Sequence, residues 1–264
     1  MAAYQLCRAK AAEHPFYIES IDANIYTIEE LCFYLYENLS LLDESILNTK
    51  LCDWLAKELG MTKLAFQIKE KLTDAESIAE LILPIFREIA YLNAAEYRSV
   101  QEQITKLEVQ PEDIRRKIRA DALVGYGMFS GAVTIYRQIL RQKSQGKLGL
   151  QFYANVLNNM AGAYGRMFLF EEAAQCLWQS YELVRSNAVY RSYLALLPFY
   201  LNKEDCQKRL EELRVPKEQW DKIEAEKQQV TEQLEQKPPF AHATQETMRK
   251  FLSEEKRKYH KSRR

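Results

Sequence analysis

The chain has 264 residues, 47% of them hydrophobic, and its 37 basic residues balance 37 acidic residues to a formal net charge of zero. This length can bury the core of one or two domains, and only 8 Gly and 7 Pro leave little sequence for turns, so helices should dominate. No apolar run approaches the roughly 18 residues that span a membrane, so we expect a soluble, cytoplasmic protein.

Neither the cysteines nor the histidines form a pattern that indicates chemistry. The five cysteines are Cys7, Cys32, Cys52, Cys176 and Cys206. They are odd in number, far apart and outside any Cys-x-x-Cys or Cys/His cluster, which favours inert thiols in a reducing compartment over a zinc site or a disulfide framework. The three histidines are isolated, and no Gly-rich phosphate loop or nucleophile motif is present. The sequence therefore predicts a protein that is not an enzyme, with no catalytic residue, metal or cofactor.

Charge is distributed unevenly along the chain. Residues 11–49 contain eight Asp or Glu and no Lys or Arg, and we name them the acidic block. Residues 244–264 contain eight Lys or Arg against three Glu, and we name them the basic tail. The chain therefore has ends of opposite charge, which the balanced total conceals.

The first secure helix is predicted to begin after Thr27, because Thr27 and Glu30 form a Ser/Thr-x-x-Glu capping box. Its apolar residues occupy several faces, which indicates a buried helix. The preceding stretch, residues 16–26, alternates loosely between apolar and polar residues. That alternation permits a short extended segment, although no convincing partner strand is apparent nearby.

The next two helices resemble a helix-turn-helix unit. Asn48 caps the first, Gly60 ends it, and the second follows over 62–72, with Ala56 and Gly60 four residues apart and Phe66 at a position usually taken by a branched apolar residue. In such a unit the second helix enters the DNA major groove. A plain αα corner also favours a small residue and a glycine here. The face that would meet DNA is nearly neutral and lies beside the acidic block, which argues against nucleic acid.

A further capping box, Thr73 to Glu76, predicts the start of a long helix that Pro84 should kink or divide. Asn93 then starts another helix, and Pro111 begins the one after it.

Residues 157–183 predict two antiparallel helices joined by a tight turn. The residues that face each other are Leu157, Ala161 and Tyr164 on the first helix and Ala173, Leu177 and Ser180 on the second. The stretch resembles a tetratricopeptide (TPR) repeat, most clearly over residues 155–185. Ala161 with Tyr164, then Phe170-Glu171-Glu172-Ala173, then Leu177 match the family's pattern, while Leu157 replaces the usual Trp and Arg185 the usual closing Pro.

Two poorer hairpins flank this one. In the first, Ala132 precedes Ala173 by 41 residues, against a family period of about 34. Its equivalent residues are Ala120, Leu123, Phe129, Ala132, Tyr136 and Ile139. In the second, Tyr190, Leu194 and Leu197 would pair with Cys206, Leu210 and Leu213. Three such units are about what a solenoid needs to bury a continuous core.

These patterns predict an all-α fold, an α-α superhelix of TPR-like helical hairpins between an N-terminal helical region and C-terminal capping helices. The expected divisions are 1–110, a helical region not recognised in any family; 111–215, the repeats; and 216–264, a capping helix opened by Pro216, a Pro238-Pro239 elbow and the basic tail.

The resemblance implies a non-enzymatic adaptor or scaffold that holds a protein or peptide in a concave groove lined by the first helix of each pair. The groove residues it implies are Lys117, Asp121, Asn155, Asn159, Gly162, Arg166 and Arg191. Asn159 matches an asparagine that binds a ligand backbone in many TPR domains, with a hydrogen bond between repeats as the other interpretation. Lys117 matches one cation of the carboxylate-clamp subset, but Asp121, Ala188 and Ser192 occupy the other clamp positions. An extended acidic segment is the expected ligand.

Two alternatives stay open. A DNA-binding regulator would use the unit near 55–72 and sense a peptide through the repeats. The basic tail is predicted to be a detachable amphipathic helix. It would dock on the acidic block of its own chain or of a second copy, or contact another anionic partner. Its cations would otherwise interact only with the dipole of their own helix.

Overall fold

The computed structural model describes residues 11–142 and 148–235, and within these ranges the chain is all-α apart from one two-stranded hairpin. This confirms the predicted fold class. The helices are α1 (Ile28–Glu37), α2 (Thr49–Lys57), α3 (Thr62–Lys71), α4 (Ile78–Glu88), α5 (Ala94–Glu108), α6 (Glu112–Gly125), α7 (Phe129–Gln142), α8 (Leu150–Arg166), α9 (Phe170–Val184), α10 (Asn187–Tyr200), α11 (Lys203–Glu212) and α12 (Lys217–Glu235). The Pro238-Pro239 elbow, the basic tail and Cys7 lie outside the described residues.

The chain divides into two compact units, one ending at Ser186 and the other beginning at Asn187. The first contains the strands and α1 to α9, and the second contains α10 to α12. The predicted divisions near residues 110 and 215 fall between α5 and α6 and between α11 and α12.

The extended segment near the N-terminus finds its partner within the same stretch. Strand β1 (Phe16–Ile18) pairs antiparallel with β2 (Ala23–Ile25), with Phe16 opposite Ile25. Asp22 makes this tight reversal in the left-handed region at φ 51°, a conformation that Asp tolerates better than most residues. The alternation turns Phe16, Ile18 and Ile25 into the core.

This N-terminal segment is held on α2 by two side chains. The indole N–H of Trp54 donates to the carbonyl of His14 at 2.8 Å, and Glu58 Oε2 accepts the backbone N–H groups of Glu13 and His14, each at 3.1 Å. The N–H of His14 is the main reason why the pKa of Glu58 lies below its ordinary value. The hairpin is thereby tied to the helical region that follows it.

Helices α1 to α5 enclose the core of the N-terminal region. Thr27 and Glu30 form the expected capping box at α1, and Leu31, Cys32 and Leu35 are fully buried. Burial raises the pKa of the Cys32 thiol to about 12. The thiol therefore behaves as a small apolar group in this core.

Helix α4 begins later than its sequence predicts. Ser77, not Thr73, is the N-cap, so the interpretation of Thr73 to Glu76 as a capping box is wrong. The carboxylate of Glu108, at the end of α5, accepts the Ser77 hydroxyl at 2.9 Å and the Ile78 N–H at 2.8 Å, which fixes the helix start there. Pro84 lies inside the helix without dividing it.

Helices α6 and α7 form one hairpin, and α8 and α9 form a second, as the apolar stripes predict. The alanines that the stripes assign to the two helix contacts are at most 4% exposed, namely Ala120, Ala132, Ala161 and Ala173. The contact between hairpins includes Arg137 of α7, whose Nη2 donates to the Tyr164 hydroxyl of α8 at 2.6 Å. Small residues at these positions let the axes come close together.

The turns of the two hairpins repeat the same backbone geometry 41 residues apart. Gly127 and Phe168 occupy the left-handed region at φ 77° and 61°. The next N–H in each turn reaches back to a helix carbonyl, from Met128 to Leu123 at 2.9 Å and from Leu169 to Tyr164 at 3.0 Å. This is the hydrogen bond of a Schellman cap. The structure therefore reproduces the 41-residue offset read from the sequence.

In the second unit, Asn202 caps α11 through the N–H of Asp205 at 2.8 Å. The buried residues are Tyr193, Leu194, Leu197, Cys206, Leu210 and Ile223. Helix α10 continues through Pro198, and α12 begins directly after Pro216 as expected.

Candidate functional site

The residues predicted to line a groove lie on three helices. Lys117 and Asp121 are on α6, and Arg191 is on α10. Helix α8 carries the other four, Asn155, Asn159, Gly162 and Arg166. Their spacing of four, three and four residues puts these four on one face of α8.

Three of the predicted residues meet at one carboxylate. Asp121 accepts the amide N–H of Asn159 at 2.8 Å and the ammonium of Lys117 at 2.6 Å. The hydroxyl of Tyr136, from α7, donates to the same carboxylate. We name Lys117, Asp121, Tyr136 and Asn159 the polar cluster. It joins the first helix of one hairpin to the first helix of the next.

Tyr136 is the member that sequence reasoning missed, because it occupies an apolar stripe position where the second hairpin has Leu177. The side chain is fully buried, and burial followed by the hydrogen bond to Asp121 raises its pKa well above the ordinary value. A tyrosine in a stripe of otherwise apolar residues is the available signal, since a buried hydroxyl needs a partner.

The polar cluster satisfies itself. The Asn159 amide N–H bonds between hairpins, which corresponds to the second of the two interpretations of this residue. Lys117 has a carboxylate at ion-pair distance, so its charge is compensated within the fold. These residues fix the geometry of the α6–α8 face, and ligand selection by charge has to come from elsewhere on it.

Arg166 lies at the C-terminal end of that face and is exposed. Its guanidinium carbon is 5.7 Å from the centroid of the Phe129 ring, at the start of α7. Within the described ranges it has no carboxylate partner. A cation held over a ring keeps its charge available to a further group.

The other two α8 residues leave the middle of the face open. Asn155 is exposed and accepts the side-chain amide of Gln151 at 3.0 Å. Gly162 is exposed, and apart from its chain neighbours and the backbone of its own helix no heavy atom lies within 4 Å of where its β-carbon would stand. Another polypeptide could therefore approach the α8 backbone at this point.

Arg191 belongs to the second unit. Its Nη2 donates to both carboxylate oxygens of Glu226, at 2.7 and 2.9 Å. The pair links α10 to α12 and compensates this charge within the unit.

A cleft of about 480 Å³, which no sequence pattern indicated, lies between the segment after α1, the start of α4, the end of α5 and the first half of α6. Its lining residues are Leu39, Ser40, Leu42, Asp43, Glu44, Ile78, Ile104, Leu107, Glu108, Glu112, Arg115, Arg116 and Arg119. Arg119 pairs with Asp43 and Arg116 with Glu112, so most of its charge is compensated locally.

The α2–α3 corner has a tight turn with Gly60 at φ 72°. Phe66 on α3 is 63% exposed, although the helix-turn-helix resemblance assigns it a position usually occupied by a branched apolar residue. Lys71 of the same helix pairs with Glu80 at 2.6 Å. The other cations of α3 are Lys63 and Lys69.

Comparison of the chain with protein-family models, with curated proteins and with solved structures gives no match. Over residues 11–142 and 148–235, none of the helices combines the length and apolar character that crossing a membrane requires. The same ranges hold no group of three or more His, Cys, Asp or Glu placed to bind a metal ion.

Proposed function

We propose that the protein is a non-enzymatic adaptor whose TPR-like hairpins hold a protein or peptide segment on the face shared by α6 and α8. The observation that carries this proposal is the exposed guanidinium of Arg166, which has no carboxylate partner among the described residues. Lys117, on the same face, is already paired. An acidic or carboxylate-bearing segment is the ligand that such a cation selects.

The polar cluster supports this proposal because it makes the face rigid before a ligand arrives. Asp121 is held by donors from α6, α7 and α8, so the two first helices have a fixed relation. A preorganised surface loses little conformational freedom on binding and therefore retains more of the interaction free energy.

The open backbone at Gly162 supports an extended ligand in particular. Nothing occupies the space beside it, and it lies between Asn155, which offers an exposed amide, and Arg166. A segment lying along α8 would meet a polar side chain, exposed helix surface and a cation in turn. The resemblance to TPR repeats agrees with this placement, since their ligands lie on the first helices.

The test is to fill the face. Gly162→Trp places a large ring in space that no side chain uses, so the fold should tolerate it. Gln175→Trp puts the same ring on an exposed position of α9 and is the matched control. Tagged protein is purified with its partners after crosslinking, and the partners are quantified by mass spectrometry.

We expect Gly162→Trp and Arg166→Glu each to reduce recovery of a specific partner by about tenfold or more, the loss expected at a binding hot spot, while Gln175→Trp leaves it unchanged. Equal recovery with all three variants would remove the proposal.

A DNA-binding regulator is the second candidate, favoured by the helix-turn-helix-like geometry at Gly60. The pairing of Lys71 with Glu80 and the acidic block weigh against it, because Lys and Arg contacts to phosphate dominate non-specific affinity. Genome-wide DNA co-precipitation at moderate salt discriminates the two. Enrichment above a mock sample would favour the regulator.

A further inference from the structure

The turn between α8 and α9 carries an aromatic residue that neither the backbone nor the core requires. Phe168 is 79% exposed, the largest fraction among the large apolar residues that the structure describes. Its φ is 61°, in the left-handed region. A side chain with a β-carbon is disfavoured there, and an exposed ring gains little from burial.

The equivalent turn shows what the fold alone would select. Gly127, 41 residues earlier, has φ 77° and the same capping hydrogen bonds. Glycine is the residue that adopts this conformation without steric cost. The second hairpin therefore has Phe at the turn position where the first hairpin has Gly.

Phe168 has exposed neighbours in its own turn and at the end of α8. Its ring packs edge-on against Phe170 at 6.0 Å between centroids. Leu169 in the same turn is 40% exposed. Arg166 bridges the two hairpins through its contact with Phe129. We name Arg166, Phe168 and Leu169 the turn patch.

We propose that the turn patch is a docking site for a segment of a partner protein that places an apolar side chain on Phe168 and a carboxylate on Arg166. The inference rests on the proposed function, because a ligand that lies along the α8 face reaches the turn patch at Arg166, the last residue of that face. It extends that function by naming a two-part chemistry for the partner.

Charge and residue type together select this occupant. Aromatic residues and arginine are enriched in protein interfaces, and exposed apolar clusters beside polar residues mark such sites. The one cation of the patch has no acid within the described residues, so a carboxylate beside the apolar anchor is complementary to it. An apolar partner without a carboxylate would leave that cation uncompensated.

The experiment uses a phage library of random peptides of about twelve residues, which span roughly 40 Å when extended. The library is selected on the wild-type chain after depletion on Phe168→Gly, and the best peptide is synthesised with a fluorophore for anisotropy titration. Phe66→Ala, at an exposed phenylalanine on α3, is the matched control for Phe168→Ala. Melting temperatures are measured in parallel.

We expect enriched peptides to share an apolar residue next to Asp or Glu. Affinity for the best peptide should fall by about tenfold or more with Phe168→Gly, Phe168→Ala and Arg166→Glu, and should not change with Phe66→Ala. Phe168→Gly should melt no lower than wild type, since its backbone suits glycine. A clear drop in melting temperature would assign Phe168 to the fold and overturn the inference.

Other outcomes also decide. Peptides that bind Phe168→Gly as tightly as wild type, but lose binding with Gly162→Trp, would overturn the turn patch and leave the groove. Loss with Phe168→Gly and none with Gly162→Trp would overturn the groove as the proposed function places it. A concentration-dependent dimer in sedimentation that Phe168→Gly abolishes, or no enrichment over the depleted library, would also overturn the peptide-docking inference.

Discussion

The hairpins α6–α7 and α8–α9 have the same backbone geometry at their turns and differ in the side chains between their helices. Both have buried alanines at the helix contact and the same cap at the turn. The first hairpin buries Tyr136 against Asp121, and the second has Leu177 and Gly162 at those two positions. The comparison indicates that the first hairpin supplies the hydrogen bonds that hold the two hairpins together. The second leaves its face open.

Replacing the buried alanines that the two hairpins share with a larger residue tests whether the helices of both hairpins are packed equally closely. Ala173→Leu should lower the free energy of unfolding by about 2–3 kcal/mol, because the site is fully buried and added methylenes have no space. Ala132→Leu should cost the same. Urea denaturation of both variants measures this, and a loss at one site several times that at the other would show that the hairpins are packed differently.

Removing the Asp121 carboxylate tests how much stability the first hairpin gains from hydrogen bonds that the second hairpin lacks. Asp121→Ala should cost about 2 kcal/mol, since the buried Tyr136 hydroxyl loses its acceptor and Lys117 its partner. The double variant with Tyr136→Phe should be less destabilised than the sum of the single changes. Strict additivity in urea denaturation would mean that the polar cluster is not a unit.

Two glycines at different backbone conformations sharpen the comparison further. Gly127→Ala should cost about 1 kcal/mol, because its φ of 77° suits glycine. Gly162→Ala should gain about 0.5–1 kcal/mol, because its site on α8 is ordinary helix with open space. Thermal unfolding of the two variants should therefore shift in opposite directions, and shifts of the same sign would contradict this assignment.

The smallest expected effect is a difference in the pH dependence of stability between the wild type and Tyr136→Phe. The folded-state pKa of Tyr136 is raised, so its contribution to stability is complete below the ordinary tyrosine pKa of about 10 and is lost as pH rises above it. Between pH 10 and 11 the wild type should lose about 1 kcal/mol more than Tyr136→Phe. Below pH 9 the difference between the two should be constant, and parallel curves throughout would refute the raised pKa.

Local patterns predicted most helix boundaries, because capping residues act within a few positions of themselves. Thr27 with Glu30, Asn48, Asn93 and Pro216 each start a helix as expected. Helix α4 is the exception that explains the limit. Its start depends on Glu108, thirty residues further along, and no local pattern reports a partner at that distance.

The candidate site was predictable in part for the same reason. The TPR resemblance assigned Lys117, Asp121 and Asn159 to one surface, and the structure brings them together. The resemblance could not show that these residues compensate one another, because that depends on side-chain geometry across three helices. Tyr136 was missed because it occupies an apolar stripe position, and the cleft beside α6 was missed because it arises from packing between segments far apart in the chain.

The docking of the N-terminal segment on α2 provides an optical reporter within the fold. Trp54 is 7% exposed, and its indole is held by the carbonyl of His14. The lowered pKa of Glu58 means that its contribution to stability is present above the ordinary glutamate pKa and is lost as pH falls through the lowered value. In a chain with Trp178 and Trp220 replaced by Phe, release of the segment should appear as a red shift of Trp54 emission on acidification. Glu58→Gln should show that shift already at neutral pH, so the fluorescence of one residue would follow the attachment of the segment that leads into β1.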